Sequence, residues 1–361
     1  MIRIKGTGNL LLDALSTLGL CEILFRIKPS IRFKINLGSS EPMEITNLNK
    51  DELKLLRKGI EEIRKEKRLR ETLPKINKKK LVPAIEFFEN VYGNISDVEF
   101  SNLDQGFILE KTRNKKLELL SMSLMPLYGK GANKWNSRPS DYSMYASRLL
   151  VLTYIIGLAY YSIPYSHHES GLIERSYVIL TPPLGQEVEE EYVMSLRRVA
   201  SIYLNTDEGK LVRALLYKAP LTTLPLLIFS TLDVSTLSIF IEPSPQLILF
   251  TIESKLKGKG EAVRRIEFMS STSVLKFLYN MGEEVYSFKL LIHELLKQTT
   301  SPELSSLALE ALLNMASAIE YSKPDKLLLA YYIANSLRER TEDKLWIPDS
   351  DCLTKAIEVL K

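Results

Sequence analysis

The sequence predicts an α+β protein: a mixed amino-terminal α/β region with small antiparallel sheets over residues 1–271, followed by a carboxy-terminal helical bundle over 272–361. Three observations predict it. Short runs that alternate or concentrate apolar residues, such as 31–37 and 247–254, have the length and composition of strands. The apolar run 149–164 has the length of a buried helix. From residue 273 onward the period is helical throughout, with Pro302 and Pro324 at first-turn positions. The chain has 361 residues, 45% of them hydrophobic and 25% charged, which excludes disordered and collagen-like classes and leaves room for two cores.

In order along the chain, a strand over 2–5 enters Gly6-Thr7-Gly8-Asn9 and then a helix over about 10–25. The two glycines do not complete a dinucleotide fingerprint, because position 11 is Leu and no acidic residue closes a βαβ unit. Thr7 or Asn9 as an N-cap explains the same residues, and an anion at the helix start is the alternative. Strands are expected at 31–37 and 43–46. The most charged helix then spans 50 to about 73, with Leu53, Leu56, Ile60, Ile63 and Leu69 on one face.

Residues 50–80 hold thirteen cations and six acids, an excess of seven where the whole chain has a net charge of only +4. The mixed early part reads as a solvated face laced with i to i+4 pairs. The late part, Lys75 and Lys78, Lys79 and Lys80, reads equally as a phosphate track. A short helix is expected over 81–92, and two or three short strands over 98–124.

Residues 126–142 combine Lys130, Lys134 and Arg138, spaced four apart, with Gly129, Gly131, Trp135 and the amides Asn133 and Asn136. Close backbone approach, cations for phosphates, an aromatic face and amides for base edges are what a nucleic-acid-reading loop requires. A solvated connection between ordered elements is the other reading. Ser140 or Asp141 can N-cap the buried helix expected over 142–162, whose face carries Tyr145, Leu149, Leu152, Ile156 and Tyr160. Ala146, Thr153 and Gly157 on that helix admit a close neighbour.

His167 and His168 are two of the three histidines in the chain. Adjacent in sequence and without an HExxH or cysteine partner pattern, they give no reason to expect a metal. A strand over 175–180, helices over 187–204 and about 208–218, and strands at 237–242, 247–254 and 262–269 complete the first region. The last hairpin tip carries Lys255, Lys257 and Lys259, either as edge protection or as a second nucleic-acid contact. Helices follow at about 273–281, 283–297, 302–319, 324–340 and 351–360.

The sequence shows no P-loop, nucleophile elbow, kinase set or metal-nuclease dyad, so no catalytic residue and no cofactor or metal is expected. Cys21 and Cys352 stand far apart and build no disulfide framework, which suits a reducing cytoplasm. No signal-peptide pattern and no membrane-spanning run are visible.

Gly6-Thr7-Gly8-Asn9 with Asp13-Ala14 and Gly19, then Arg138-Pro139-Ser140-Asp141-Tyr142 leading into the apolar 152–159, then an all-helical tail, resemble the large subunit of archaeal type I-A CRISPR interference (Cascade) complexes. The resemblance runs over most of the chain. It implies a non-catalytic subunit of a guide-RNA surveillance complex in antiviral defence, one that helps recognise the protospacer-adjacent motif, holds opened target DNA and helps recruit a separate nuclease and helicase. It also implies CRISPR backbone and small subunits as partners. Some related subunits carry a cysteine-rich zinc-binding insertion that this sequence lacks. Two other readings are open: a protein–protein scaffold without DNA contact, and a nuclease whose site is assembled from distant residues.

Overall fold

The computed structural model describes the chain apart from residues 29–30, 50, 73–83, 104–106, 111–116, 120–144, 170–171, 217–219, 256–260 and 342–343. The chain divides into two compact units, Met1–Ala200 with Ile248–Phe268, and Ser201–Leu247 with Met269–Lys361.

The first unit begins with β1 (Ile2–Ile4) and α1 (Leu10–Ile27), followed by β2 (Arg32–Asn36) and β3 (Met43–Thr46). A 3-10 turn over Asp51–Lys54 leads into α2 (Leu55–Lys65), α3 (Lys67–Thr72), α4 (Ala84–Asn94) and α5 (Asp97–Ser101). Short strands β4 (Leu109–Glu110), β5 (Leu117–Leu119) and β6 (Tyr145–Ser147) precede α6 (Arg148–Tyr161). Strands β7 (Ser162–Glu169), β8 (Leu172–Thr181) and β9 (Glu187–Glu189), then α7 (Glu190–Asn205), β10 (Gln246–Lys255) and β11 (Glu261–Ser270) complete the set.

Three small sheets result, in the orders β1-β3-β2-β9, β11-β10-β8-β7 and β4-β6-β5. In the first, antiparallel pairing sets Ile2 and Phe33 both opposite Ile45, so the alternating residues Ile2, Ile4, Phe33, Ile35, Met43 and Ile45 share the buried face. Its outer face pairs charges across strands, Arg3 with Glu44 at 3.2 Å and Lys34 with Glu187 at 2.7 Å. In the second, β7 and β8 pair antiparallel along their length, from Ser162 opposite Ile179 to Glu169 opposite Leu172.

The core of this unit is the crossing of α1 and α6. Every residue from Leu11 to Leu24 and from Leu149 to Tyr161 is buried, so both helices are enclosed on all sides, as their apolar composition requires. Fully burying each large apolar side chain here contributes about 1.5–3 kcal/mol. The single face expected for α6 is therefore only part of its contact surface.

Several expected boundaries move for local reasons. The helix expected from 142 starts at Arg148, because the Ser147 side chain accepts the Leu150 amide at 3.3 Å and caps it there. The long helix expected over 50–73 breaks at Glu66, whose backbone is extended. Residues 98–101, expected as strand, lie in a helical turn over Asp97–Ser101 because Ser96 and Glu99 make a reciprocal capping box. Glu187–Glu189, expected as helix, pair with β2 instead.

The second unit holds α8 (Asp207–Leu215), α9 (Leu224–Phe229), α10 (Val234–Ile239), α11 (Thr272–Asn280), α12 (Val285–Gln298), α13 (Ser305–Tyr321), α14 (Pro324–Arg340) and α15 (Ser350–Leu360). The strand expected at 237–242 is α10: the Asp233 carboxylate accepts the Thr236 amide at 2.7 Å and starts a helix that apolar composition alone did not reveal. Helix α13 packs on α11, α12 and α14. Its buried face runs through Ala308, Ala311, Leu312, Met315, Ala316 and Ile319. Leu304, Leu307, Leu309 and Leu313 lie half-buried beside that face. Ser322, at φ 49°, turns α13 into α14 through the left-handed conformation.

Candidate nucleic-acid interface

The described part of the basic segment lies on α2 and α3. Leu56, Gly59, Ile60 and Ile63 form the buried side of α2. Gly59 presses on α1 so closely that a Cβ would stand 2.8 Å from the Ile23 carbonyl oxygen. The flanks are neutralised from neighbouring helices. Arg57 pairs with Asp97 at 3.1 Å and donates to the Ile95 carbonyl at 2.9 Å, and Arg64 pairs with Glu89. Both guanidiniums lie against the Tyr92 ring, at 5.8 and 4.3 Å from its centroid, while the Tyr92 hydroxyl donates to Glu61 at 2.8 Å. Arg57 and Arg64 therefore serve the fold.

The outward cations differ. Lys54, Lys58, Lys65, Lys67 and Arg70 are exposed, and among the described residues none of them enters an ion pair. The acids exposed beside them are Glu61, Glu62 and Glu71, which leaves a local excess of two positive charges before the chain reaches Lys75 and Lys78–Lys80. Residues four and seven apart on a helix share a face, so Lys58 and Lys65 present their charges in one direction.

The break at Glu66 is held by a charged cluster under the α2–α3 junction. Glu22, fully buried on α1, lies 2.9 Å from both Arg26 and Arg197. These are ionic contacts without the alignment of hydrogen bonds. Burial pushes the Glu22 carboxyl up, against the opposing pull of Arg197, Arg26 and Arg68. Glu66 accepts from Arg26 Nε at 3.1 Å and Nη2 at 2.5 Å, and from the Tyr160 hydroxyl at 2.5 Å. Arg68, two residues further, donates to the Ala159 and Tyr160 carbonyls at 3.1 and 2.6 Å, at the end of α6. Burial lowers the Arg68 pKa.

The Gly6–Asn9 loop carries its own anion. Asp13 Oδ1 accepts from the Thr7 amide at 2.6 Å and the Thr7 hydroxyl at 2.8 Å, and Oδ2 accepts from the Gly8 amide at 3.1 Å. Asn9 caps α1 by accepting the Leu12 amide at 3.1 Å. Desolvation raises the Asp13 pKa even though these hydrogen bonds lower it. The donors a phosphate would use are thus occupied by a side chain of the same helix.

A family model described as CRISPR-associated protein (Cas_Csa4) matches residues 10–344. The chain belongs to this family. No curated protein matches it. As in the rest of the Cas_Csa4 match, the segment from α1 to α14 includes the α2–α3 face and the charged cluster beneath it.

Lys78, Lys79, Lys80, Lys130, Asn133, Lys134, Trp135, Asn136, Arg138, Lys257 and Lys259 lie outside the described residues. Lys255 is the last residue of β10. His167 and His168 occupy neighbouring positions of β7. Among the described residues no group of three or more His, Cys, Asp or Glu is placed to hold a metal ion, and no helix is long and apolar enough to cross a membrane. Sequence reasoning missed the Glu22 cluster. The available signal was a charged pair, Glu22 and Arg26, at i to i+4 in the second half of a largely apolar helix.

Proposed function

We propose that this CRISPR-associated protein is the non-catalytic large subunit of an archaeal type I-A guide-RNA surveillance complex. In this reading it acts in the cytoplasm with CRISPR backbone and small subunits, helps recognise the protospacer-adjacent motif on target DNA, and helps recruit a separate nuclease and helicase. The observation that carries the reading is the family match across 10–344, together with the residues that resemble that subunit. The basic α2–α3 face supports it physically. Guide pairing reads the long target, so the protein needs a few well-placed cations and amides, not a highly basic whole. A net charge of +4 with local excesses fits that division. Residues 130–138 are the proposed motif-reading loop, with Lys130, Lys134 and Arg138 on phosphates, Asn133 and Asn136 at base edges and Trp135 wedged or stacked.

The test is binding of target duplex with and without the cognate motif by the reconstituted complex carrying Lys134→Ala with Asn136→Ala. Discrimination should fall, and undiminished discrimination removes this loop from the reading. A scaffold role without DNA contact is favoured by one observation, the exposed Leu328, Leu329 and Tyr332 on α14, at helical spacing opposite the buried face of that helix. Cross-linking to target duplex that labels only partner subunits would select it. Metal-dependent cleavage by the purified chain would instead select the nuclease reading.

A further inference from the structure

Sheet edges are where a folded chain can still pair its backbone, and the edges of this chain differ sharply. β1 and β9, which flank the first sheet, are each three residues long, and β4 and β5, which flank the third, are two and three. β7, at one edge of the second sheet, carries Pro164, which has no amide to offer. β11, at the other edge, is ten residues long and contains neither Pro nor Lys, two of the devices that blunt such an edge. Among the described residues no backbone hydrogen bond reaches β11 from outside its sheet. Its neighbour β10 is buried over 247–251, whereas on β11 the side chains of Arg265 and Glu267 are 50% and 40% exposed and Phe268 is 52% exposed.

We infer that β11 is a self-pairing edge, joining two copies of this chain by antiparallel strand addition centred on Ile266. The order of its charges makes the pairing specific. Outward-facing backbone groups alternate along a strand, so the two-fold axis of a symmetric antiparallel pair passes beside a residue and never between two. With the axis at Arg265 two guanidiniums meet, and with the axis at Glu267 two carboxylates meet; both arrangements repel. Axes further along shorten the ladder. With the axis at Ile266, Arg265 of each copy stands opposite Glu267 of the other, twice by symmetry. Residues directly opposite have Cβ atoms about 4.5–5.5 Å apart. Each carboxylate then gains a second guanidinium beside the one it holds within its own strand, where Arg265 Nε lies 3.1 Å from Glu267 Oε1. On the other face Ile266 meets its own copy, and Phe268 lies diagonally across from it, which covers a half-exposed aromatic ring. A contact between two strands falls below the area of a permanent interface, so the dimer is a concentration-dependent one. This pairing uses none of the proposed DNA-binding residues and stands apart from the proposed function.

The test is sedimentation velocity of the purified full chain, free of nucleic acid, from low to high micromolar concentration. It is run on the wild type, on Arg265→Glu, on Glu267→Arg, and on an equimolar mixture of the two variants. The wild type should pass from monomer to dimer. Each variant alone should associate about tenfold or more weakly, because its own register now sets like charges opposite each other. The mixture should recover the wild-type association, since one strand then offers two arginines and the other two glutamates. Hydrogen exchange supplies a second measurement that needs no variant, should one fail to fold: peptides covering 262–270 should exchange more slowly at high concentration than at low. A wild type that stays monomeric throughout, with unchanged exchange at 262–270, overturns the pairing. Single variants that dimerise as the wild type does, or a mixture that stays monomeric, overturn it equally. A different subunit as the true occupant of this edge belongs to the first of these outcomes, and all of them leave motif discrimination by the reconstituted complex untouched.

Discussion

Gly19 of α1 and Gly157 of α6 meet backbone to backbone: a Cβ on Gly19 would stand 1.7 Å from the Thr153 carbonyl oxygen, and one on Gly157 would stand 1.9 Å from that of Leu15. Neither obstacle is the movable end of a side chain, so an added methyl must force the helices apart along their whole contact. Gly157→Ala is expected to destabilise the chain by about 3 kcal/mol or more, beyond the usual range for an overfilled core. Gly93→Ala is the control. That residue lies in α4 with open space around its Cα, and the change there should stabilise by about 0.5–1 kcal/mol through helix propensity. Equal effects of the two substitutions in urea unfolding would contradict the close crossing.

The crossing was half legible in the sequence. Gly157 beside Thr153 in an apolar run marks a helix with room for a neighbour, but nothing in one sequence says which helix fills it. Similar limits explain the rest. The helix expected from Pro324 appears as Pro324–Arg340, whereas the one expected from Pro302 begins only at Ser305. Elements decided by a single capping side chain depart from expectation as well: Ser147 moves the start of α6, and Asp233 turns an apparent strand into α10. Of the basic segment, the charge excess was visible, but the division into neutralised Arg57 and Arg64 and outward Lys58 and Lys65 depends on Asp97, Glu89 and Tyr92, which reach α2 only through the fold.

The Asp13 carboxylate gathers three donors from the loop before α1. Asp13→Ala leaves the Thr7 and Gly8 amides without that acceptor in a half-buried turn. The expected loss is about 3 kcal/mol, from charge-assisted hydrogen bonds and unsatisfied amides together. Thr7→Val, which removes only the hydroxyl contact, should cost about 1 kcal/mol. Both values follow from thermal or urea unfolding, and an Asp13→Ala loss no larger than that of Thr7→Val would show that the loop does not depend on its carboxylate.

Lys289 of α12 donates to the Leu232 carbonyl, and burial, only partly opposed by Asp233, pushes its pKa down from 10.5 to about 8. Above pH 10.5 this lysine is neutral in both folded and unfolded chains. Between about 8 and 10.5 the unfolded chain holds the proton more tightly, so stability rises with pH across that window; below 8 both states are protonated and the contribution is flat. The difference in stability between wild type and Lys289→Met is expected to rise in favour of the wild type by about 1–2 kcal/mol from pH 8 to 10.5, after allowance for solvent screening of a partly exposed group. Other alkaline groups cancel in that difference, so a pH-independent difference would place the Lys289 ammonium in water.

The outward cations of α2 and α3 allow the charge of the interface to be changed without touching the core. Lys58, Lys65 and Lys67 form no ion pair among the described residues, so their joint replacement by Ala should alter stability by less than about 0.5 kcal/mol. If they lie along a phosphate backbone, each contact removed lowers the number of counterions released on binding. The slope of log affinity against log salt should then fall by about 1 per lysine, uniformly across DNA sequences. Arg57→Ala and Arg64→Ala should do the reverse, lowering stability through the lost Asp97, Glu89 and Tyr92 contacts while leaving the salt slope in place. Measured on the assembled complex with a fixed duplex, an unchanged slope in the triple lysine variant would mean that DNA does not run along this face, whatever the fate of residues 130–138.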